Sequence, residues 1–396
     1  MRQNRRRIGR IAGIGLLIGA VSIAGCMLFE PKVSVDIAVS DTEGATPMVV
    51  EFAAVVAGDV ASYYWDFGDG ETSIESSPVH VYRAAGTYDV FLSVTLADGS
   101  NGSVEKEGLI DVALITQKAT LTDLYWLNAN TGTIHRGDRA GYAEETIVSY
   151  IYRGRDLAVG VGYVFWAADE TIYRSNYDGS DKKAIVTGQQ GLASVTVNAI
   201  AYAIYWSCLP SMPFSSNYWA GSLKTANLVG SLRKTLEEYD DSARPYIWYV
   251  RSDVNGMALY RYFDDDNYVR PVRLTPNAAD DGKLQYMVFP SPTTHSIGTV
   301  KTSMNGITAM ALDVSDSLAR HIYWIAGGAI RRCRVDGSDA TTILRGLNNP
   351  KGVAADIVEG KMYWSDAKGI HRADLDGTND ELIYPGVRAD VLVIQQ

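Results

Sequence analysis

The feature that most constrains this chain is a fifteen-residue string that recurs along its carboxy-terminal two-thirds. It reads IHRADLDGTNDELIY from Ile370, IRRCRVDGSDATTIL from Ile330 and IYRSNYDGSDKKAIV from Ile172. It reads IHRGDRAGYAEETIV from Ile134 and LKTANLVGSLRKTLE from Leu223. Every copy has glycine at its eighth position (Gly141, Gly179, Gly230, Gly337, Gly377) and an aliphatic residue at its fourteenth (Ile147, Ile185, Leu236, Ile343, Ile383). A sixth copy from Leu259 keeps the opening and Val272 but has Asp266 in place of the glycine. An aromatic pair precedes each: Tyr125-Trp126, Phe165-Trp166, Tyr205-Trp206, Trp248-Tyr249, Tyr323-Trp324 and Tyr363-Trp364. Each copy reads as a hairpin, because glycine takes a positive φ at no cost and Asp-Gly between alternating runs is a strong hairpin signal. A period near 40 residues with three or four strands per unit predicts a β-propeller.

At the amino end, five arginines up to Arg10 precede an apolar run, Ile11 to Ala24, that is too short for a spanning helix. It ends in Ile23-Ala24-Gly25-Cys26, which resembles a bacterial lipobox. The resemblance implies cleavage after residue 25, lipidation of Cys26 and anchoring to a membrane, in a chain exported to the bacterial cell envelope, at the outer membrane or cell surface. Removal of residues 1–25 would leave 31 basic and 46 acidic residues, a net charge of −15. That balance, without a basic patch, argues against a nucleic-acid partner.

Residues 33–114 carry Tyr64-Trp65-Asp66-Phe67-Gly68-Asp69-Gly70, then Ser77-Pro78-Val79-His80-Val81-Tyr82 and Gly86-Thr87-Tyr88-Asp89-Val90. Trp65 and Phe67 alternate inward along a strand, and Asp66 and Asp69 are expected to bind turn amides rather than a metal. This stretch resembles a PKD domain, an immunoglobulin-like β-sandwich that serves as a spacer or adhesion module. Residues 26–32 then form a short tether and residues 115–121 a linker to the propeller at 122–396.

The aromatic pairs, clearest in Tyr363-Trp364-Ser365-Asp366, resemble the YWTD (class B) repeats of low-density lipoprotein receptors. That resemblance implies a six-bladed propeller that binds proteins on one face. Asn128, Ala168, Cys208 and Ala326 depart from the usual Asp. Spacing also allows seven blades, with Gln285–Phe289 as a hidden aromatic strand. The closing run Arg388–Ile394 opens like a unit that lacks its aromatic pair, and is expected to complete the first blade and remove an open sheet edge.

Signals for chemistry are sparse. His135 and His371 occupy equivalent repeat positions and read as structural; no His-x-x-x-His pair, Cys cluster or Gly-x-Ser-x-Gly elbow occurs. A disulfide between Cys208 and Cys333, in distant units, is not favoured. No metal or other cofactor is expected; calcium would be the one candidate, at Asp264–Asp266 or Asp280-Asp281, which read first as solvated acidic turns. One insertion stands out. The step from Trp206 to Leu223 is 17 residues, where from Trp166 to Ile172, Trp324 to Ile330 and Trp364 to Ile370 it is six. Its Phe214, Tyr218 and Trp219 are candidate partner-binding residues.

The leading expectation is a non-catalytic, lipid-anchored envelope protein whose propeller binds a protein or polysaccharide. The alternatives are a propeller lyase or hydrolase with its site at the central channel, and a purely structural envelope protein.

Overall fold

The computed structural model describes residues 33–113, 123–198, 202–209, 221–239, 245–252, 256–263, 281–291, 294–301, 307–312, 321–334 and 336–395. Cys26, the linker and the 210–220 segment with Phe214, Tyr218 and Trp219 lie outside them, as do Asp264–Asp266 and Asp280. All the regular elements described are strands.

The first 81 described residues form two sheets, one with Val35–Val39, Met48–Val56 and Val79–Tyr82, the other with five strands between Glu43 and Ala113. Trp65, Phe67, Val50, Phe52 and Tyr82 fill the space between the sheets. Trp65 donates from Nε1 to the Glu75 carbonyl (2.9 Å), and the Tyr82 hydroxyl donates to the Phe67 carbonyl (3.0 Å). The Asp66 carboxylate accepts from the Gly68 amide and that of Asp69 from the Glu71 amide, each at 3.0 Å, as the turn chemistry requires.

The rest of the described chain forms six four-stranded antiparallel sheets, here blades 1 to 6 in chain order. Blade 2 shows the pattern: Gly154–Gly160, Tyr163–Ala168, Thr171–Asn176 and Lys183–Val186 pair in sequence from the innermost strand outward. Blade 1 takes its innermost strand from the carboxy terminus, Val391–Ile394, which pairs with Asp123–Asn128 in the register Leu392 to Trp126. The innermost strands of neighbouring blades touch all the way round, from blade 1 through 2, 3, 4, 5 and 6 back to 1. The expected closure by the last strand is therefore present, and no propeller edge at the chain ends is left unpaired.

The fourth blade departs from the expected register. Trp248 and Tyr249 lie on its innermost strand, Pro245–Ser252, not on the second strand as their counterparts do. The Leu259 copy opens on the second strand, Gly256–Phe263, and Gln285–Phe289 lie on the third, Asp281–Ser291. The sixth copy therefore opens on the second strand of its blade, where the other five open on the third. The missing glycine at Asp266 had marked that difference in the sequence.

Inner strands begin at one face of the ring, called upper, and end at the other, called lower. Connections from the second to the third strand and from one blade to the next lie on the upper face. The Asp-Gly turns lie on the lower face. Each of the five turn glycines has φ between 83° and 86° and donates its amide to the carbonyl three residues earlier.

The structure adds a reason for the glycine that hairpin geometry does not supply. A Cβ on Gly179 would overlap the carbonyl oxygen of Ile147 in blade 1. The same holds for Gly230 against Ile185, and for Gly141 against Ile383 across the closure. On Gly377 a Cβ would sit 3.0 Å from the Ile343 carbonyl oxygen. Position eight of one blade thus seats on position fourteen of the preceding blade. An arginine at position three adds a second latch. Arg174 donates to the Leu228 carbonyl (3.3 Å) and Arg372 to the Arg139 carbonyl (3.0 Å), in each case position six of the next blade.

The aromatic pairs of the five blades other than blade 4 are buried within them. The second residue of each string lies opposite the tryptophan. His135 stacks on Trp126 (5.5 Å between centroids), Tyr173 on Trp166 (5.5 Å) and His371 on Trp364 (4.9 Å). The histidines are thus pieces of the blade sandwich, as their shared repeat position implied. Cys208 and Cys333 are both free and buried, and burial pushes the Cys208 thiol pKa up.

Candidate functional site

The axis of the ring is a narrow channel bordered by the inner strands, at Leu157–Val159, Val195–Val197, Met310–Leu312, Val353–Ala355 and Leu392–Ile394. Its volume is about 100 Å³, and none of these fifteen residues is ionisable. A second cavity of about 70 Å³ opens at the upper end, lined by Arg155, Asp156, Thr308, Lys351 and Asp390 among others.

The two carboxylates at this mouth are structural. Asp156 accepts from the Leu157 amide (2.9 Å), the Val195 amide (3.0 Å) and the Ser194 hydroxyl, tying blade 2 to blade 3. Asp390, at the matching point of the strand that completes blade 1, accepts from the Ala129 amide (3.0 Å) and from Arg388 (2.8 Å). Sequence reading missed both, although Arg155-Asp156-Leu157 and Ala389-Asp390-Val391 open equivalent strands. Arg155 and Lys351 point no ion pair at any described residue, which leaves the mouth with two cations available to a ligand.

The lower face is partly covered. Val49, on the outward side of the three-stranded sandwich sheet, joins a propeller core cluster with Tyr163, Phe165 and Leu228. Val79 and Val81 from the same sheet, and Val161, Val197 and Tyr202 from the lower turns and inner strand of blades 2 and 3, pack against it. Around this apolar contact, Lys183 donates to Asp41 (3.1 Å) and the Arg83 guanidinium lies 5.2 Å from the Tyr202 ring centre. Burial works against the Lys183 charge, but the hydrogen bond and charge of Asp41, with Asp181, outweigh it and raise the pKa. The sandwich is thus docked on the propeller, beside the lower end of the channel that Val197 lines. The outward valines of Met48-Val49-Val50 and Val79-His80-Val81 were the available sequence signal, because strands apolar on both sides are covered on both sides.

His80 is buried between Phe67 (4.1 Å, stacked) and Tyr82, with Nε2 2.7 Å from Asp69. No group of three or more His, Cys, Asp or Glu suited to a metal ion occurs among the described residues.

The upper face carries side chains with no structural task. Tyr150 and Tyr152, on the connection from blade 1 to blade 2, are 97% and 66% exposed. Between them Ile151 is buried in the core shared by the two blades.

Residues 31–110 match the family model of the PKD domain. A pre-pro-metalloprotease PrtV of Vibrio cholerae is 36% identical over 90 residues, 23% of this chain and 9% of that protein. Nidogen-2 of Mus musculus is 34% identical over 88 residues, 21% of this chain and 6% of that protein. The chain thus spans under a tenth of the length of either relative. Among solved structures, a nidogen/laminin complex has a chain that superposes with a TM-score of 0.52 at 14% identity, over 69% of this chain and 98% of that one. Residues 31–110 thus match the PKD domain, and a six-bladed β-propeller follows them.

Proposed function

We propose that this chain is a non-catalytic, lipid-anchored envelope protein whose propeller holds a protein or glycan partner on its upper face. The observation that carries this reading is the asymmetry between the faces. The PKD domain occupies part of the lower face, while the upper face presents exposed tyrosines and unpaired cations around the channel mouth. The channel itself, at about 100 Å³ and with no ionisable side chain among its described lining residues, is smaller than the roughly 300 Å³ at which small-molecule sites begin, which weighs against a substrate site there. The solved nidogen/laminin complex, which has a chain of similar fold, supports the reading by analogy. Lipidation of Cys26 would hold the chain at the membrane, with the docked PKD domain between the anchor and the binding face. Phe214, Tyr218 and Trp219, in the segment joining the second and third strands of blade 3, would add apolar anchors at the same face.

Capture by the immobilised full chain from envelope extract tests this directly, with Trp219→Ala in parallel. Saturable capture weakened by the substitution is expected. Capture untouched by it would remove Trp219 from the site. No capture of any envelope component by the wild type would overturn the binding role.

A further inference from the structure

The upper connection between blades 1 and 2 is built unlike a solvent loop. Ile151 plugs into the core between the blades, and its amide donates to the Gly132 carbonyl at 2.8 Å. Gly132, with φ of 67°, admits the loop so closely that a Cβ there would lie 3.2 Å from the Ile151 nitrogen. On either side, Tyr150 (φ 61°) and Arg153 (φ 50°) are held in the left-handed region that non-glycine residues seldom occupy. Arg153 lies 5.0 Å from the Tyr152 ring centre and 3.4 Å from Asp169, fixing that ring from below. The result is two tyrosines presented to solvent, one residue apart. Rigid, exposed aromatic side chains give contact area at little entropic cost.

The surroundings of this platform carry unpaired cations, in a chain of net charge −10. Over the contiguous sector of blades 5, 6, 1 and 2, the upper side carries six cations and five carboxylates. Arg388 pairs with Asp390 and Arg153 with Asp169, while Asp156 and Asp366 accept from protein donors, which leaves Arg155, Arg345, Lys351 and Lys368 without an ion pair to a described residue and Glu170 exposed. Asp240, Asp241 and Asp264–Asp266 belong to connections flanking the strands of blade 4 and lie outside the described residues.

We propose that this sector binds an acidic polysaccharide, with Tyr150 and Tyr152 stacking on sugar rings and Arg155 and Lys351 at the channel mouth pairing with uronate carboxylates. The proposal rests on the upper face being the binding face, and adds the ligand's chemistry and the residues that read it. A sugar chain fits better than an acidic peptide, because the tyrosines stand proud of the surface. A protein partner's side-chain anchor seeks a pocket, and the mouth offers only about 70 Å³. A pyranose needs only a flat ring to lie on and a charge beside it.

The test is affinity electrophoresis of the purified full chain in non-ionic detergent, through gels containing polygalacturonate, dextran or poly-glutamate. Polygalacturonate is expected to retard the wild type, and dextran to leave it unretarded. The double variant Tyr150→Ala/Tyr152→Ala should bind polygalacturonate at least tenfold more weakly. Arg155→Gln/Lys351→Gln should weaken it and flatten its dependence on salt. All the substituted side chains lie outside the core, so equal melting temperatures will show that the variants fold. No retardation by polygalacturonate overturns the proposal. So does equal retardation by poly-glutamate that survives the tyrosine changes, which would mark an acidic-peptide site. Capture of an envelope protein without polysaccharide retention would remove this ligand while leaving the binding role standing; loss of both would remove both.

Discussion

The two faces of the propeller use the same backbone device to opposite ends. On the lower face, Gly141, Gly179 and Gly230 take φ of 83° to 85° with a neighbouring blade's carbonyl pressed against the Cα. On the upper face, Gly188, Gly346 and Gly386 take φ of 69° to 74° with nothing within 4 Å of where a Cβ would stand. Below, left-handed glycine is a joint between blades; above, at these three positions, it only turns the chain. The lower turns repeat almost residue for residue because each must seat on its neighbour. The upper connections differ from blade to blade because nothing structural makes them alike, and that leaves them available for recognition.

The largest expected effect lies at the ring closure. Arg139 of blade 1 pairs with Asp356 of blade 6, both buried, and also donates to the Gln395 carbonyl. Asp356→Ala would strand the guanidinium and should lower unfolding free energy by about 3–5 kcal/mol. Guanidinium titration would read this, and an unchanged midpoint would deny that the pair holds the ring. Next, Gly179→Ala must bear both the left-handed strain and the overlap with Ile147, about 3 kcal/mol together. Gly188→Ala should cost only about 1 kcal/mol, from strain alone. Equal losses would erase the distinction between the faces. Val49→Asp would place a charge in the contact between the PKD domain and the propeller, at about 2–3 kcal/mol. Small-angle scattering should then show a larger radius of gyration if the domains part, and an unchanged radius would mean that the valine contact does not hold them.

The smallest effect is a pH dependence. Burial holds the pKa of His135 below its ordinary 6.5, against the pull of Glu144. The unfolded chain then binds this proton more readily than the folded one. The contribution of His135 is complete above pH 6.5 and declines as pH falls below it. His135→Gln should therefore shrink the drop in unfolding midpoint between pH 7.5 and pH 5, and an identical drop would remove His135 from the effect.

Most of the fold was legible because it is repeated. Gly179 and Ile185 were visible as register marks long before their partners in the adjacent blades were known. What the marks did not reveal was their pairing across blades, since positions eight and fourteen of one string touch different neighbours. Blade 4 was read out of register because its string lost the glycine that defines the turn, and Trp248-Tyr249 resembles its counterparts while sitting on a different strand. The docking of the PKD domain was missed because Val49 and Val81 looked like ordinary alternating-strand residues. Only the partner surface explains why both sides of that sheet are apolar. At the candidate site, Tyr150 and Tyr152 gave no repeat signal at all. Each occurs where the units differ, and exposure and strain are properties of the folded chain.

Tyr142 and Tyr150 permit the most direct test of the division between faces. They are the same residue, 91% and 97% exposed, one on a lower turn and the other on an upper connection. Capture of an envelope component by the full chain should be unchanged by Tyr142→Ala and weakened severalfold by Tyr150→Ala, with both variants melting like the wild type. Loss of capture on changing Tyr142, with Tyr150→Ala binding normally, would contradict the assignment of recognition to the upper face.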